Sequence, residues 1–64
     1  MKINGEEYEF ASGISIYEMI EGFKLDPEMV AVEMNGVICS RDQWADVILK
    51  KDDRIELIRF VGGG

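Results

Sequence analysis

The chain predicts an α+β domain, and three observations carry that prediction. Two Asn-Gly pairs, Asn4-Gly5 and Asn35-Gly36, each stand between short alternating runs. Such a pair is a strong hairpin signal, because both central residues of the tight turn need φ > 0. Between them lies one segment with helical spacing and a start signal, and a last alternating run follows that ends in three glycines. With 64 residues there is material for a single core, and folding at this size buries only about 60% of the surface that the unfolded chain exposes.

The elements follow in order. Lys2-Ile3, the Asn4-Gly5 turn and Glu7 to Phe10 read as a first hairpin. Ser15 stands three residues before Glu18, the reciprocal capping box in which each side chain satisfies an orphan N–H at a helix start. Ile16, Met19, Ile20 and Phe23 then recur at i, i+3, i+4 and i+7 as one apolar stripe, with Glu18 and Glu21 toward water. Gly22 weakens the last turn and Leu25-Asp26-Pro27 closes the helical region, because the residue before Pro is pushed toward extended conformations. Met29 to Met34 alternates as a third, central strand, with Val30, Val32 and Met34 on one face and Ala31 and Glu33 on the other. After Asn35-Gly36, Val37-Ile38 reads as a short fourth strand. Ser40 and Gln43 repeat the capping-box spacing over a single helical turn, Arg41 to Ala45, with Trp44 as a lid on the core. Lys50 to Asp53 is a charged turn, and Arg54 to Val61 is the last strand. Two hairpins around one helix, a helical turn and a final strand are the order of a β-grasp, a mixed sheet with the helix on one face.

The last strand carries the functional signal. Ile55 and Leu57 share one face, so Ile58 and Phe60 project from the other. If the helix covers one side of the sheet, these two residues lie on a solvated face, where an apolar patch marks a docking surface; a loop covering that face is the other reading, and both stand open. Arg54 and Arg59 are positioning charges for a partner. Arg59 shares the parity of Ile55 and Leu57, so either the strand leaves the core before it or the side chain runs along apolar surface to water. Residues 1–61 form the domain and Gly62, Gly63 and Gly64 a bare tail. Three extended residues reach about 10 Å, and glycines pass through a narrow channel that side chains would block.

Composition removes several functions. The chain has 7 Lys+Arg against 13 Asp+Glu, a formal charge of −6, and a surface of that sign repels phosphate backbones and anionic lipid. Nucleic acid and membrane are therefore not expected partners, and no apolar run approaches the roughly 18 residues of a spanning helix. One Cys and no His leave no disulfide pair, no Cys/His zinc site and no histidine for acid–base chemistry. A cytoplasmic setting is expected, with no metal and no bound cofactor. A cleft of about 300–1,000 Å³ would take a large share of so small a domain, which disfavours an enzyme.

Val30-Ala31-Val32-Glu33-Met34-Asn35-Gly36, then Arg41, Trp44, a charged turn and Arg54-Ile55-Glu56-Leu57-Ile58-Arg59-Phe60-Val61-Gly62-Gly63-Gly64, resemble the ThiS family of bacterial sulfur carriers. Ile3-Asn4-Gly5-Glu6 and the helix after Ser15 fit the same pattern without insertion. The resemblance implies a ubiquitin-like β-grasp protein that is a substrate and not a catalyst, with the Gly64 carboxylate as its reactive group. It implies a ThiF-type adenylating enzyme that uses ATP to make an acyl-adenylate of Gly64. A sulfur donor protein then leaves a thiocarboxylate, and a thiazole synthase of the ThiG type takes the sulfur for thiamine biosynthesis. On this reading Ile58, Arg59 and Phe60 meet the partner. A related carrier for molybdopterin, cysteine or metallophore synthesis, a carrier that ends in an isopeptide, and a β-grasp interaction module with an unreactive tail are the alternatives. Cys39 reads as inert, Asp52-Asp53 and Glu6-Glu7 as solvated turn residues, and Tyr17 as lying off the helical stripe.

Overall fold

The computed structural model describes residues 1–9 and 13–60. Five strands make one mixed sheet in the order β2-β1-β5-β3-β4: β1 (Lys2–Ile3), β2 (Glu6–Glu7), β3 (Val30–Met34), β4 (Val37–Cys39) and β5 (Arg54–Arg59). β1 runs parallel to β5, and the other pairings are antiparallel. One helix, α1 (Ile16–Gly22), lies on one face. The strand expected at the centre, β3, is interior, but β5 is the middle strand. The second strand is shorter than expected, and Phe10 lies outside the described residues.

Both Asn-Gly pairs form the expected turns. Asn4 and Asn35 each have φ 52°, followed by Gly5 at 81° and Gly36 at 87°, the left-handed pair that suits the twist of a two-residue hairpin. Their side chains do a second job. Asn4 Oδ1 accepts from Leu57 N at 2.8 Å, and Asn35 Oδ1 accepts from Arg54 N at 3.0 Å. β1 ends at Ile3, so the amide of Leu57 has no further strand beside it there, and the Asn4 side chain supplies the acceptor. Each hairpin is thereby clipped to β5.

The capping box at α1 is complete: Glu18 N donates to Ser15 Oγ at 3.1 Å, and Ser15 N donates to Glu18 Oε1 at 2.9 Å. The remaining free amides of the first turn are met from outside the helix, where Ile16 N donates to Val47 O and Tyr17 N to Trp44 O. Segment 41–49 is thus a strap across the helix start, and it closes with Leu49 N donating to Ile14 O at 2.8 Å. At the other end the helix stops before Pro27. Lys24 turns left-handed at φ 58°, Leu25 N reaches Ile20 O and Lys24 N reaches Glu21 O, which is a Schellman closure without glycine.

Ile16, Met19 and Ile20 of α1 pack with Ile3, Val30, Val32, Trp44, Leu49 and Ile55 as the core. Trp44 is 1% exposed, and its Nε1 donates to Cys39 O at 3.1 Å, so the lid expected from sequence is part of the core itself. Two expectations fail in detail. The turn at Arg41–Gln43 is a single 3₁₀ turn in which Ser40 makes no side-chain cap; Gln43 N donates to the Ser40 carbonyl. Asp53, expected to be solvated, is buried: its carboxylate accepts from Lys50 N at 2.8 Å and from Asn35 Nδ2 at 3.2 Å. It tightens the loop into β5 and ties it to the second hairpin.

Candidate functional site

The helix and the strap cover one face of the sheet, and the register shows what the other face presents. Residues paired across strands share a face, and alternate residues of a strand return to it. Lys2 stands beside Arg54, Glu56 opposite Glu33, Glu33 opposite Ile38, and Ala31 opposite Ile58. Phe60 continues the ladder, with its N–H donating to Met29 O at 2.8 Å, and so falls on the side of Ile58. The open face therefore changes character along β5, from a mixed charged row of Glu7, Lys2 and Arg54 through an acidic row to an apolar end that leads toward residue 61.

Ile58 is 44% exposed and Phe60 53% exposed. No loop among the described residues covers them, which decides between the two readings of this strand in favour of a solvated apolar patch. Ile38, 60% exposed, extends the patch toward β4, and sequence reasoning did not include it. Its parity on a three-residue strand is legible only once the Asn35-Gly36 turn fixes its partner as Glu33.

Arg59 shares the covered face's parity, yet it is exposed. It pairs with Val30 at the last register position of β5 and walls a shallow hollow of about 240 Å³ with Tyr8, Phe23, Leu25 and Leu57. The hollow lies at the C-terminal end of the helix, where the exposed Arg59 stands beside the partly buried Phe23, Leu25 and Leu57. Ile58 and Phe60 are thus on the open face, with Arg59 on the opposite side of the same strand end. Val61 and the tail residues Gly62, Gly63 and Gly64 lie outside the described residues.

The remaining polar groups form no chemical centre. Among the described residues no group of His, Cys, Asp and Glu is placed to hold a metal ion, and no helix is long and apolar enough to cross a membrane. The Tyr8 hydroxyl donates to Glu6 Oε2 at 3.2 Å, and that carboxylate raises the phenol's pKa, first through the hydrogen bond and then through its charge. Burial, and then the charge of Asp42, push the Cys39 thiol up, which lowers its thiolate fraction and fits the inert reading.

Comparison with known proteins gives this exposed strand end its context, since the model of the ThiS family matches residues 1–64. The chain belongs to the ThiS family. It is 30% identical over 61 residues to the sulfur carrier protein ThiS of Escherichia coli, covering 95% of this chain and 92% of that one. The crystal structure of a ThiS from Geobacter metallireducens superposes with a TM-score of 0.79 at 29% identity, over 98% of this chain and 96% of the other. The architecture is accordingly that of a ThiS β-grasp. A thiazole synthase of Magnetococcus marinus is 39% identical over 62 residues, 97% of this chain but 19% of that protein, so the chain spans about a fifth of that relative. The Escherichia coli relative, which this chain matches over nearly its whole length, is named a sulfur carrier protein.

Proposed function

We propose that this chain carries sulfur for thiamine biosynthesis on the carboxylate of Gly64. The observation that supports this most is the family match along all of residues 1–64, glycines included. The carboxylate attacks the α-phosphate of ATP held by a ThiF-type adenylating enzyme, forming the acyl-adenylate and releasing pyrophosphate. The outer sulfur of a persulfide on the sulfur donor protein then attacks the activated carbonyl, and a thiol reductant cleaves the resulting acyl disulfide, leaving as a disulfide with the donor's cysteine. AMP leaves with the former bond electrons, and a terminal thiocarboxylate remains.

The fold's contribution to this chemistry is presentation. β5 is the middle strand, paired on both sides and clipped by Asn4 and Asn35, so the segment that leads to the tail starts from the most constrained strand of the domain. Ile58 and Phe60 give the adenylating enzyme an apolar surface close to the tail, and Arg59 gives it a charge on the other side of the strand. Binding energy gathered there holds the tail in the partner's channel, which makes the attack effectively intramolecular. A thiazole synthase of the ThiG type is the proposed acceptor. The Magnetococcus marinus protein of that name, which contains a stretch 39% identical to this chain, supports this choice.

Intact mass tests the reading. After incubation with the adenylating enzyme of the same organism, ATP and a sulfide source, the chain gains the mass of one sulfur-for-oxygen exchange at its C-terminus, and deletion of Gly64 abolishes the gain. An unchanged mass, with the enzyme active on its own carrier, overturns it.

A further inference from the structure

The two edges of the sheet are guarded differently. The sheet ends on one side at β2 and on the other at β4. β2 consists of Glu6 and Glu7, both exposed, and carboxylates along an edge keep a second strand away. β4 has no such guard. Residues 34–40 carry no charge in a chain that is 31% charged, and Val37 at 68% and Ile38 at 60% are the most exposed large apolar side chains among the described residues. The hydrogen-bond ladder shows which backbone groups this edge offers. Phe60 N donates to Met29 O and Asn35 N to Arg54 O, so the alternation of an antiparallel pair turns Ala31 and Glu33 toward β5, and Val32 and Met34 toward β4. Val37 and Cys39, the register partners of Met34 and Val32, are therefore the residues that bond β4 to β3. Ile38, opposite Glu33, directs its N–H and C=O away from the sheet, and neither meets a partner among the described residues.

We infer that β4 pairs antiparallel with β4 of a second copy of this chain, about a two-fold axis at Ile38. The occupant follows from self-complementarity, because a closed two-fold contact uses the same patch on both partners. With the axis at Ile38, this residue exchanges both N–H···O bonds with its own counterpart at a Cα separation of about 5.5 Å. The two Ile38 side chains then stand together on the open side, Val37 stands opposite Cys39 of the second copy on the covered side, and no like charges meet. The same pairing at β2 would set carboxylate against carboxylate, so β4 is the edge that accepts a copy. The axis crosses the sheet, which joins two five-stranded sheets into one with both open faces on the same side. Ile58 and Phe60, two strands away from β4, stay uncovered. A three-residue edge buries less than the roughly 800 Å² per partner of a stable complex. The dimer is accordingly weak, with a dissociation constant of about 0.1–1 mM. The inference stands apart from the carrier reading above.

Sedimentation equilibrium of the full chain, from about 10 µM to about 1 mM, tests this. Wild type is expected to show a monomer–dimer equilibrium that Ile38→Lys weakens by at least about tenfold. Ile38 is 60% exposed, so the variant is expected to keep the wild-type Tm. It also makes the chain less acidic, so its loss of association cannot come from greater overall repulsion. A second variant reads the register. Ile38→Cys in a Cys39→Ser background places two thiols at a Cα separation of about 5.5 Å, within disulfide range, and air oxidation is expected to link it into a covalent dimer faster than Ile58→Cys in the same background. Wild type that remains monomeric at the highest concentration overturns the inference. Association that survives Ile38→Lys overturns the edge pairing, and its loss in Ile58→Asp then moves the contact to the open face. Equal cross-linking rates at the two cysteines overturn the two-fold register at Ile38.

Discussion

The two faces of β5 differ in what selects their residues. On one face Ile55 is 1% exposed and packs with Val32, Met19 and Ile20 in the core; three residues later Ile58 is 44% exposed. Residue type is the same at both positions, and parity separates them. The first isoleucine is explained by folding, since a fully buried aliphatic side chain contributes about 1.5–3 kcal/mol. The second buries about half of its surface and so gains less from folding, and it stands on the open face with the exposed Phe60 and Ile38. One strand thus serves as the spine of the core and carries the apolar patch of the open face.

Placing the same charge at both positions breaks this comparison most severely. Ile55→Asp puts a carboxylate without a partner into the core, a cost of several kcal/mol, against a total stability of roughly 3–10 kcal/mol for a domain of this size. The variant is expected to be unfolded by circular dichroism at 25 °C. Ile58→Asp changes stability by less than about 1 kcal/mol in urea denaturation. Equal losses at the two sites would mean that the open face is covered in solution.

The comparison depends on register, because a slip of one residue would exchange the two faces. The two hairpin asparagines hold it, and they are not equivalent. Asn4 supplies an acceptor to Leu57 N, whereas Asn35 supplies an acceptor to Arg54 N and a donor to Asp53. Asn4→Asp keeps its one bond and is expected to stay within about 0.5 kcal/mol of wild type. Asn35→Asp sets a carboxylate against Asp53 in place of the amide, with an expected loss of about 1–3 kcal/mol. The mutual repulsion raises the folded-state pKa of the pair, so the deficit is present at neutral pH and shrinks as pH falls toward the carboxylate range. Urea midpoints at pH 7 and pH 4.5 check the sign, and a deficit that does not depend on pH would show that the lost donor, and not the added charge, is what matters.

The different legibility of the two faces in the sequence has the same origin. Turn chemistry and helix patterning are local, so Asn4-Gly5, Ser15 with Glu18, and the stripe Ile16, Met19 and Ile20 were readable directly, as were the opposite parities of Ile55 and Ile58. Pairing is not local. That β5 sits between β1 and β3, that Glu33 meets Glu56, and that Asp53 is buried by an asparagine 18 positions earlier depend on register between distant segments. The Ser40 spacing misled for a related reason: a capping box needs a helix long enough to require it, and the turn there is a single 3₁₀ turn. The strap from Arg41 to Leu49 was legible only as Trp44, because its other contributions are backbone carbonyls offered to the helix start.

At the end of β5 the expected effect on folding is smaller and the effect on function larger. Phe60 is 53% exposed, so Phe60→Asp is expected to leave the urea midpoint nearly unchanged, within about 0.5 kcal/mol. The same change puts an acid at the apolar end of the open face, one row beyond Ile58, and affinity for the adenylating enzyme is expected to fall by more than about tenfold. Calorimetric titration reads the second effect, and a large loss of stability instead would assign Phe60 to the core.

The smallest effect concerns Cys39, which tests whether any sulfur chemistry belongs to the domain itself. Its register partner is Val32, so it stands on the covered side of the sheet at the edge strand, half-buried beside the core. Burial is the larger cause of its raised pKa and Asp42 the smaller. Fewer thiolates are therefore present at neutral pH than in an exposed cysteine, and iodoacetamide alkylation at pH 7.5 is expected to be slower than that of a free cysteine peptide. Asp42→Asn removes only the smaller cause, so it should speed alkylation by less than about threefold and leave folding unchanged. Labelling faster than the peptide would indicate a stabilised thiolate and make Cys39 a competitor to the tail as the sulfur-bearing group. Slow labelling leaves the covered face without a nucleophile and assigns the chemistry to the strand end that Ile58 and Phe60 present.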